Sequence, residues 1–341
     1  MNVGEPKQER RKDMKLGIVG NGMIVKRLLE DIRPLSEVTA RAICVRHQSL
    51  EKGRRLADQF DIREIYTEYH VFLTRTDIDT VYIGIISSLH YQYAKQALEA
   101  GKNVICEKPF TTEYDEAEEL IRLAKKKNLF LWEACKIPYS ENFLAIKHNL
   151  GRAGSIKLVQ CNYSRRSSRY DAYLEQKVLP AFDPVLSGGC LYDINMYNLH
   201  FVAALFGRPK WIRYDANLGF NGIDTSGIVT MGYDGFQAVC SGAKDSDSPC
   251  FGLVQGDKGC LRLEGPVSSS EYAEFIQGNM RERLSEDGQG GTLTAQMKEF
   301  DRQIKEKDYP ACYDMLGQTL LVMELLVMAR KDAGIMFGTD L

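Results

Sequence analysis

The 341-residue chain has no surplus of positive charge, no long apolar run and no cysteines in Cys-x-x-Cys spacing. Its 44 Lys and Arg stand against 46 Asp and Glu, so no excess of cations is present to neutralise a nucleic-acid backbone. No run approaches the roughly 18 consecutive apolar residues of a membrane span, and the polar residues 1–13 lack the apolar core of a secretion signal. We therefore expect neither a nucleic-acid partner nor membrane insertion.

The cysteines and histidines indicate a reducing compartment and predict no metal centre. The nine cysteines are an odd number, and Cys106 and Cys161 lie inside apolar runs, which is typical of reduced core thiols in a cytoplasmic protein. The five histidines show no His-x-x-x-His spacing, so metal ligation is not expected.

The length of the chain predicts two domains, which we place at residues 14–133 and 134–341. Up to Glu133, six short apolar strands alternate with helices, and this alternation predicts a doubly wound parallel sheet. Beyond Glu133 the alternation stops, and six strand-like runs between residues 156 and 264 predict a large, mostly antiparallel open sheet with flanking helices.

A glycine turn follows the first strand and opens the first helix. Such a turn lets backbone N–H groups and the helix N-terminus approach a pyrophosphate, as in a Rossmann domain. Val25 stands where the fingerprint has its third small residue, so the turn alone fits a dinucleotide site and an ordinary turn equally well. The predicted cofactor-binding residues here are Gly20, Asn21, Gly22, Met23 and Ile24.

The end of the second strand bears on which dinucleotide is bound. An NAD site usually carries an acid here for the ribose hydroxyl, whereas Arg accommodates a 2′-phosphate. Arg46 and His47 occupy this point and no acid does, so NADP(H) is favoured over NAD(H). A solvated loop arginine is the structural alternative.

Two later strand ends should share one crevice with the glycine turn, because they meet it at the point where the strand order reverses. Ser87 and His90 open a helix after the fourth strand, and Glu107 and Lys108 precede Pro109 after the fifth. A lysine there can contact both nucleotide and substrate. The structural alternatives are a solvated charge pair and an ordinary histidine at a helix start.

The segments around these residues strongly resemble the Gfo/Idh/MocA oxidoreductases, the family of glucose–fructose oxidoreductase and inositol dehydrogenase. The resemblance is carried by Ser87-Ser88-Leu89-His90 and by the run from Ala97 to Glu107-Lys108-Pro109. It implies that Lys108 helps to bind both the nicotinamide end of the cofactor and the substrate.

A second segment, residues 188–200, carries Asp193 and Tyr197 four positions apart, which places both on one face of a helix. Packing and dipole complementation are the structural alternatives for these two residues. The segment also resembles the second motif of that family, with Cys190 and Asn195 at glycine positions and Tyr197 at the usual histidine position. A tyrosine there resembles the dihydrodiol dehydrogenase and glucose–fructose oxidoreductase branches, with the dihydrodiol dehydrogenases most similar, rather than the inositol dehydrogenase branch.

Together these residues predict an NAD(P)-dependent oxidoreductase that acts on a sugar, polyol or trans-dihydrodiol. Tyr197 is the expected acid/base, Lys108 should lower its pKa toward working pH, and Asp193 should orient Lys108 or substrate hydroxyls. A dinucleotide-binding regulator without turnover is the alternative, since fold does not dictate function. We also expect a homodimer or homotetramer that forms through the exposed face of the second sheet.

Overall fold

Two β-sheets organise the chain in the computed structural model, which describes residues 13–286 and 293–340. The first sheet has six strands in the order β3-β2-β1-β4-β5-β6, all parallel. The order reverses between β1 and β4, so the predicted doubly wound sheet is confirmed. Its elements are β1 (Met14–Val19), α1 (Met23–Ile32), β2 (Val38–Cys44), α2 (Leu50–Gln59), β3 (Glu64–Tyr66), α3 (Tyr69–Leu73), β4 (Thr80–Ile83), α4 (His90–Glu99), β5 (Asn103–Cys106), α5 (Tyr114–Lys127) and β6 (Leu131–Glu133).

The local sequence explains these elements. Nearly every residue of β1 and all of β4 are buried, as expected for parallel strands covered by helices on both faces. Helix α1 buries Val25, Leu28, Leu29 and Ile32, which recur at helical spacing and form the stripe that packs on the sheet.

The second sheet has eight strands in the order β14-β13-β12-β11-β7-β10-β9-β8. All neighbours are antiparallel except β7 and β10, so the predicted large, mostly antiparallel sheet is also confirmed. Its elements are α6 (Glu141–Asn149), β7 (Ile156–Ser164), α7 (Tyr170–Leu174), α8 (Met196–Phe206), β8 (Trp211–Leu218), β9 (Asp224–Tyr233), β10 (Phe236–Ala243), β11 (Phe251–Gly256), β12 (Cys260–Glu264), β13 (Tyr272–Gln277), β14 (Met280–Glu286), α9 (Thr294–Glu306) and α10 (Tyr309–Asp332).

Strands β13 and β14 were not predicted from the sequence. The reason is visible in β14, whose sequence Met-Arg-Glu-Arg-Leu-Ser-Glu is rich in charge. It is the edge strand, and charged residues are common there because they discourage pairing with other chains.

Helix α10 closes the interface between the two halves. By length and hydropathy it is the one helix among the described residues that would be able to cross a membrane, yet it packs against α5, α8 and β6 as a core helix. Its Arg330 is 1% exposed and donates to Glu113 Oε1 at 2.8 Å and to Asp340. This arginine therefore ties the start of α5 to the end of the chain.

Candidate active site

The carboxyl ends of β1, β2 and β4 surround a cavity of about 680 Å³. Parallel sheets place their ligands in this position, at the point where the strand order reverses. Predicted residues Gly20, Asn21, Gly22, Ile24 and Arg46 line it, whereas Met23 and His47 do not. The full lining is Val19, Gly20, Asn21, Gly22, Ile24, Cys44, Val45, Arg46, Ser49, Lys52, Thr67, Glu68, Tyr69, His70, Gly84, Ile85, Ile86, Leu89, Tyr93 and Gln96.

The glycine turn presents bare backbone to this cavity. Gly20 has a φ of 108°, and a Cβ on it would lie 2.3 Å from the carbonyl oxygen of Gly84. A Cβ on Gly22 would meet no atom within 4 Å, so open space begins at the residue that caps α1. Helix α1 has no side-chain cap and no acid in its first turn. The residues present therefore fit a pyrophosphate at the N-terminus of this helix.

Gly84 explains why Val25 is tolerated at the position of the third glycine. The small residue of the fingerprint lets helix and strand approach each other closely. Here a Cβ on Gly84 would lie 2.7 Å from Val25 Cγ2, so the valine occupies space that the glycine after β4 leaves free. Helix α1 can therefore still approach the sheet closely, because the larger residue is on the helix and the glycine is at the end of β4.

Cationic side chains lie beside the end of β2. Arg46 and Lys52 both line the cavity and are both exposed, and Asn21 Nδ2 donates to Ser49 O at 3.2 Å. Lys52 was missed in the sequence because it lies inside α2, where a lysine usually indicates a solvated face. A carboxylate, Glu68, also lines the cavity after β3.

Four residues that were predicted to share one crevice with the glycine turn do not line this cavity: Ser87, His90, Glu107 and Lys108. His90 is buried, with Nδ1 2.9 Å from Pro109 O and Nε2 3.2 Å from Ile85 O. Burial lowers its pKa, so the ring stays neutral. Its contacts tie the end of β4 to the turn that follows β5. Ser87 Oγ donates to Leu186 O at 3.4 Å.

The turn after β5 separates the roles of Glu107 and Lys108. Glu107 is buried, and its Oε1 accepts from Tyr82 OH at 2.5 Å while Oε2 accepts from the Lys108 N–H at 3.2 Å. Burial raises the pKa of this carboxyl. Glu107 is thus anchored inside the sheet, whereas the Lys108 side chain reaches the second half of the chain.

Lys108 joins Asp193 and Tyr197. Its Nζ donates to Asp193 O at 2.7 Å and to Asp193 Oδ1 at 3.2 Å, and it lies 4.9 Å from the centroid of the Tyr197 ring. Burial opposes the charge of Lys108, but Tyr197, Asp193 and Glu107 outweigh burial and raise its pKa. The ammonium therefore stays charged.

Asp193 has a second cationic partner that the sequence did not reveal. Lys244 Nζ lies 2.8 Å from Asp193 Oδ2. Burial opposes ionisation of this carboxyl, but Lys244 and Lys108 outweigh it and lower its pKa. No motif marks Lys244, because it follows β10 about fifty positions after Asp193.

Asp193 lies in a π-helical turn, Leu191–Asn195, which we call the π-turn and which precedes α8. The Met196 N–H donates to Leu191 O, five residues earlier, so the turn is wider than the predicted α-helix. Asp224 holds its start, since the buried Oδ2 accepts from Leu191 N and from Tyr214 OH, each at 2.6 Å.

Gly242 accommodates the departure at Asn195. A Cβ on Gly242 of β10 would lie 2.8 Å from Asn195 Cβ. Asn195 Nδ2 donates to Cys240 O at 3.0 Å on the same strand. The asparagine is therefore seated against a glycine, and the π-turn packs directly on the second sheet.

Among residues 13–286 and 293–340, no hydrogen bond to the Tyr197 hydroxyl is found, and the Lys108 ammonium lies over the ring. Burial raises the pKa of this phenol, and Lys108 lowers it by less. The expectation that Lys108 brings the pKa toward working pH was therefore wrong in its net direction. The ring lies 6.0 Å from that of Tyr163.

Metal ligation finds no support in the described part of the chain, where no three His, Cys, Asp or Glu side chains cluster as ligands would. His200 instead lies 3.3 Å from Glu133 Oε1, and both side chains are buried. Burial opposes its charge, but Cys135 and Glu133 outweigh burial and raise the pKa of the imidazole.

Known proteins resemble this chain in sequence and in fold. The model of an oxidoreductase family with an NAD-binding Rossmann fold, GFO_IDH_MocA, matches residues 14–134. The scyllo-inositol 2-dehydrogenase (NADP(+)) IolU of Bacillus subtilis is 30% identical over 96% of this chain and 99% of its own length. The trans-1,2-dihydrobenzene-1,2-diol dehydrogenase of Xenopus tropicalis is 29% identical over 75% of this chain and 76% of its own.

Among solved structures, the 3-ketoreductase KijD10 of Actinomadura kijaniata, in complex with NADP and TDP-benzene, superimposes with a TM-score of 0.81. The match covers 94% of this chain and 98% of that protein, at 19% identity. At this identity the similarity establishes the fold.

Proposed function

The chain belongs to the Gfo/Idh/MocA oxidoreductase family, and from that membership we propose a specific reaction: hydride transfer between NADP(H) and a ring carbon that bears a secondary hydroxyl. The observation that carries the proposal is the meeting of Lys108, Asp193 and Tyr197 across the two halves of the chain. Each sheet alone lacks part of this cluster.

The chain itself must place the substrate and move one proton. A nicotinamide, when bound, supplies or accepts the hydride. In the reductive direction, Tyr197 donates its proton to the substrate oxygen, and the Lys108 ammonium stabilises the negative charge that develops there. Asp193 stays ionised between two ammonium groups and fixes Lys108 in that position.

The raised pKa of Tyr197 makes proton donation, which reduction needs, easier at neutral pH than proton acceptance, which oxidation needs. Because burial raises this pKa, the phenol is protonated below it and can serve as the acid in reduction. Oxidation requires the phenolate, whose population increases with pH. We therefore expect oxidation, and not reduction, to accelerate as pH rises.

The preference for NADP(H) is supported by Arg46 and Lys52, which both line the cavity beside β2. A 2′-phosphate there would gain charge-assisted hydrogen bonds from these cations. Glu68 lines the same cavity and favours the opposite choice, so the balance among these three side chains sets the selectivity.

The proposed substrate class is supported by two of the curated relatives. One is named for scyllo-inositol and the other for a trans-1,2-diol, and both compounds carry adjacent secondary hydroxyls on a six-membered ring. The test is a panel of inositols, sugars, trans-dihydrodiols and dicarbonyls, assayed with NADP(H) and NAD(H). Turnover of a cyclic diol or its ketone supports the proposal. Cofactor binding without any turnover would instead support the regulatory alternative.

We further propose a homodimer or homotetramer in the cytoplasm. On the outer face of the second sheet, Trp211 is 41% and Ile228 is 46% exposed, and a hollow of about 510 Å³ lies beside Trp211. An apolar face of this kind is typical of a subunit interface. Light scattering checks the assembly, and a clean 38.6 kDa monomer would contradict it.

The proposed location in the cytoplasm is supported by the cysteines. The nine cysteines are all free thiols, which is typical of a reducing compartment.

A further inference from the structure

Lys244 is a buried lysine at the substrate end of the molecule. It follows β10 and is 2% exposed. Its ammonium donates to Ala181 O at 2.7 Å and to Gly189 O at 3.3 Å, lies 2.8 Å from Asp193 Oδ2 and sits 4.6 Å from the centroid of the Phe182 ring. One cation thus holds the loop before the π-turn, the π-turn itself and the end of a strand.

Stability alone does not explain this arrangement. Removing an ammonium from water is costly, and solvent screens its ion pair here because the Asp193 side chain is 44% exposed. Lys244 makes two hydrogen bonds to carbonyls, which would suffice to hold the loop. Its contact with Asp193 adds a charged partner to a carboxylate that already has Lys108.

The two lysines divide Asp193 between them. Lys244 takes Oδ2, while Lys108 takes Oδ1 and the main-chain carbonyl oxygen. The carboxylate therefore has one orientation, in which the Lys108 ammonium is directed to the Tyr197 ring. Lys244 also adds a second positive charge to the group of side chains beside the phenol, which includes the carboxyls of Asp193 and Glu107.

We propose that Lys244 is a positioning residue for catalysis: it orients the Asp193 carboxylate so that Lys108 is held against Tyr197. This inference rests on the function proposed above. Lys244 acts through Asp193 and need not touch the substrate.

The kinetic test uses three variants that separate charge from hydrogen bonding. Lys244→Gln keeps an N–H donor for the Ala181 and Gly189 carbonyls but carries no charge. Lys244→Met has neither a donor nor a charge, and Lys244→Arg keeps both. We expect Gln and Met to lower kcat about 10- to 100-fold, the loss typical of a misplaced catalytic group, with NADPH affinity unchanged. Arg should recover most of the loss.

The pH profile separates positioning from simple support of the fold. Without Lys244, Asp193 no longer holds Lys108 in place against Tyr197, so the phenolate loses part of the stabilisation that the Lys108 charge provides. The rise of oxidative kcat with pH should therefore move about one unit higher in Lys244→Gln. Lys244→Arg should restore the parent profile. The titratable groups that face Tyr197 are Tyr82, Glu107, Lys108, Cys135, Tyr163 and Asp193, and they are the same in all variants.

Lys102→Met is the matched control. Lys102 is also a buried lysine, 9% exposed, whose ammonium donates to the carbonyl oxygens of Arg75 and Ile78, and it precedes the opposite end of β5. Its loss should affect stability and leave the pH profile unchanged. If Lys244→Gln and Lys102→Met show the same profile as the parent, the proposal is overturned.

A second measurement needs no substrate. If Lys244 and Asp193 act as a pair, the losses of unfolding free energy in Lys244→Gln and Asp193→Asn should not add in the double variant. Additive losses would overturn the inference even if the parent enzyme is active. A parent without turnover on any substrate would instead contradict the proposed function, whatever the outcome of this cycle.

Discussion

The glycine turn and the π-turn both depart from the motifs they resemble, and both are compensated in the same way. At the first, Val25 replaces a small residue and packs against Gly84 beyond β4. At the second, Asn195 stands at a glycine position and packs against Gly242 of β10. In each case the missing space is supplied by a glycine in or directly after another strand. A motif that has lost a glycine has therefore kept its geometry.

The two sites differ in what they are made of. The glycine turn works through backbone N–H groups and one helix N-terminus, all within a few residues of one another. The π-turn works through side chains that arrive from three distant segments at Lys108, Asp193 and Lys244. A site formed by neighbouring residues can be predicted from a sequence, whereas a site whose side chains come from distant segments can be predicted only in part.

The largest expected effect is at the assembled site. Lys108→Met removes the ammonium that Asp193 and Tyr197 share, so we expect kcat to fall by about 10³–10⁴ while the protein stays folded. Steady-state kinetics and circular dichroism of the variant check this. The exposed Lys26 serves as the control. Lys26→Met should leave kcat within about twofold of the parent value. Equal activity in both variants would refute the role of Lys108.

The next effect tests the compensation at the π-turn. A Cβ on Gly242 would clash with Asn195, so Gly242→Ala should displace the π-turn, cost about 1–3 kcal/mol of stability and lower kcat. Asn195→Gly in the same chain should recover part of both losses. Gly317→Ala is the control, because a Cβ there meets no atom within 4 Å. If Gly242→Ala is as stable and active as Gly317→Ala, the seating of Asn195 on Gly242 is unimportant.

A smaller effect concerns the cofactor phosphate. Arg46→Ala should weaken NADP(H) binding by about 1–3 kcal/mol and leave NAD(H) nearly unchanged, because only NADP(H) carries a 2′-phosphate. Titration of nicotinamide fluorescence with each cofactor measures this. Glu68→Gln, which removes the competing carboxylate, should act in the opposite direction. Equal losses for both cofactors in Arg46→Ala would contradict the NADP(H) preference.

The smallest effect is at the glycine turn. Gly84→Ala should push against Val25 and shift α1, which should weaken NADPH binding by roughly three- to tenfold. Val25→Ala should relieve the contact and return the affinity toward that of the parent. If the double variant binds no better than Gly84→Ala alone, the compensation is not an exchange of size between these two residues.

The sequence predicted the architecture because its signals are periodic and local. Six strands that alternate with helices predict the first sheet, and the strand-like apolar runs from β7 to β12 predict the second. The edge strand β14 was not predicted because its charges hide the alternation of apolar and polar residues, and its neighbour β13 was not predicted either. Lys52, Lys244 and Gly242 escaped because each gains its role only from packing against a distant segment. The net pKa of Tyr197 was misjudged for the same reason, since burial cannot be read from Lys108 alone.

Comparing the pH dependence of kcat in the parent and in Tyr197→Phe tests the central claim most directly. For the parent, we predict that reductive kcat is nearly flat between about pH 6 and 9 and that oxidative kcat rises with pH. For Tyr197→Phe, we predict unchanged NADPH affinity, a loss of about 10²–10⁴ in kcat and no rise with pH. An undiminished kcat in Tyr197→Phe, with the parent's pH profile, would show that another group transfers the proton.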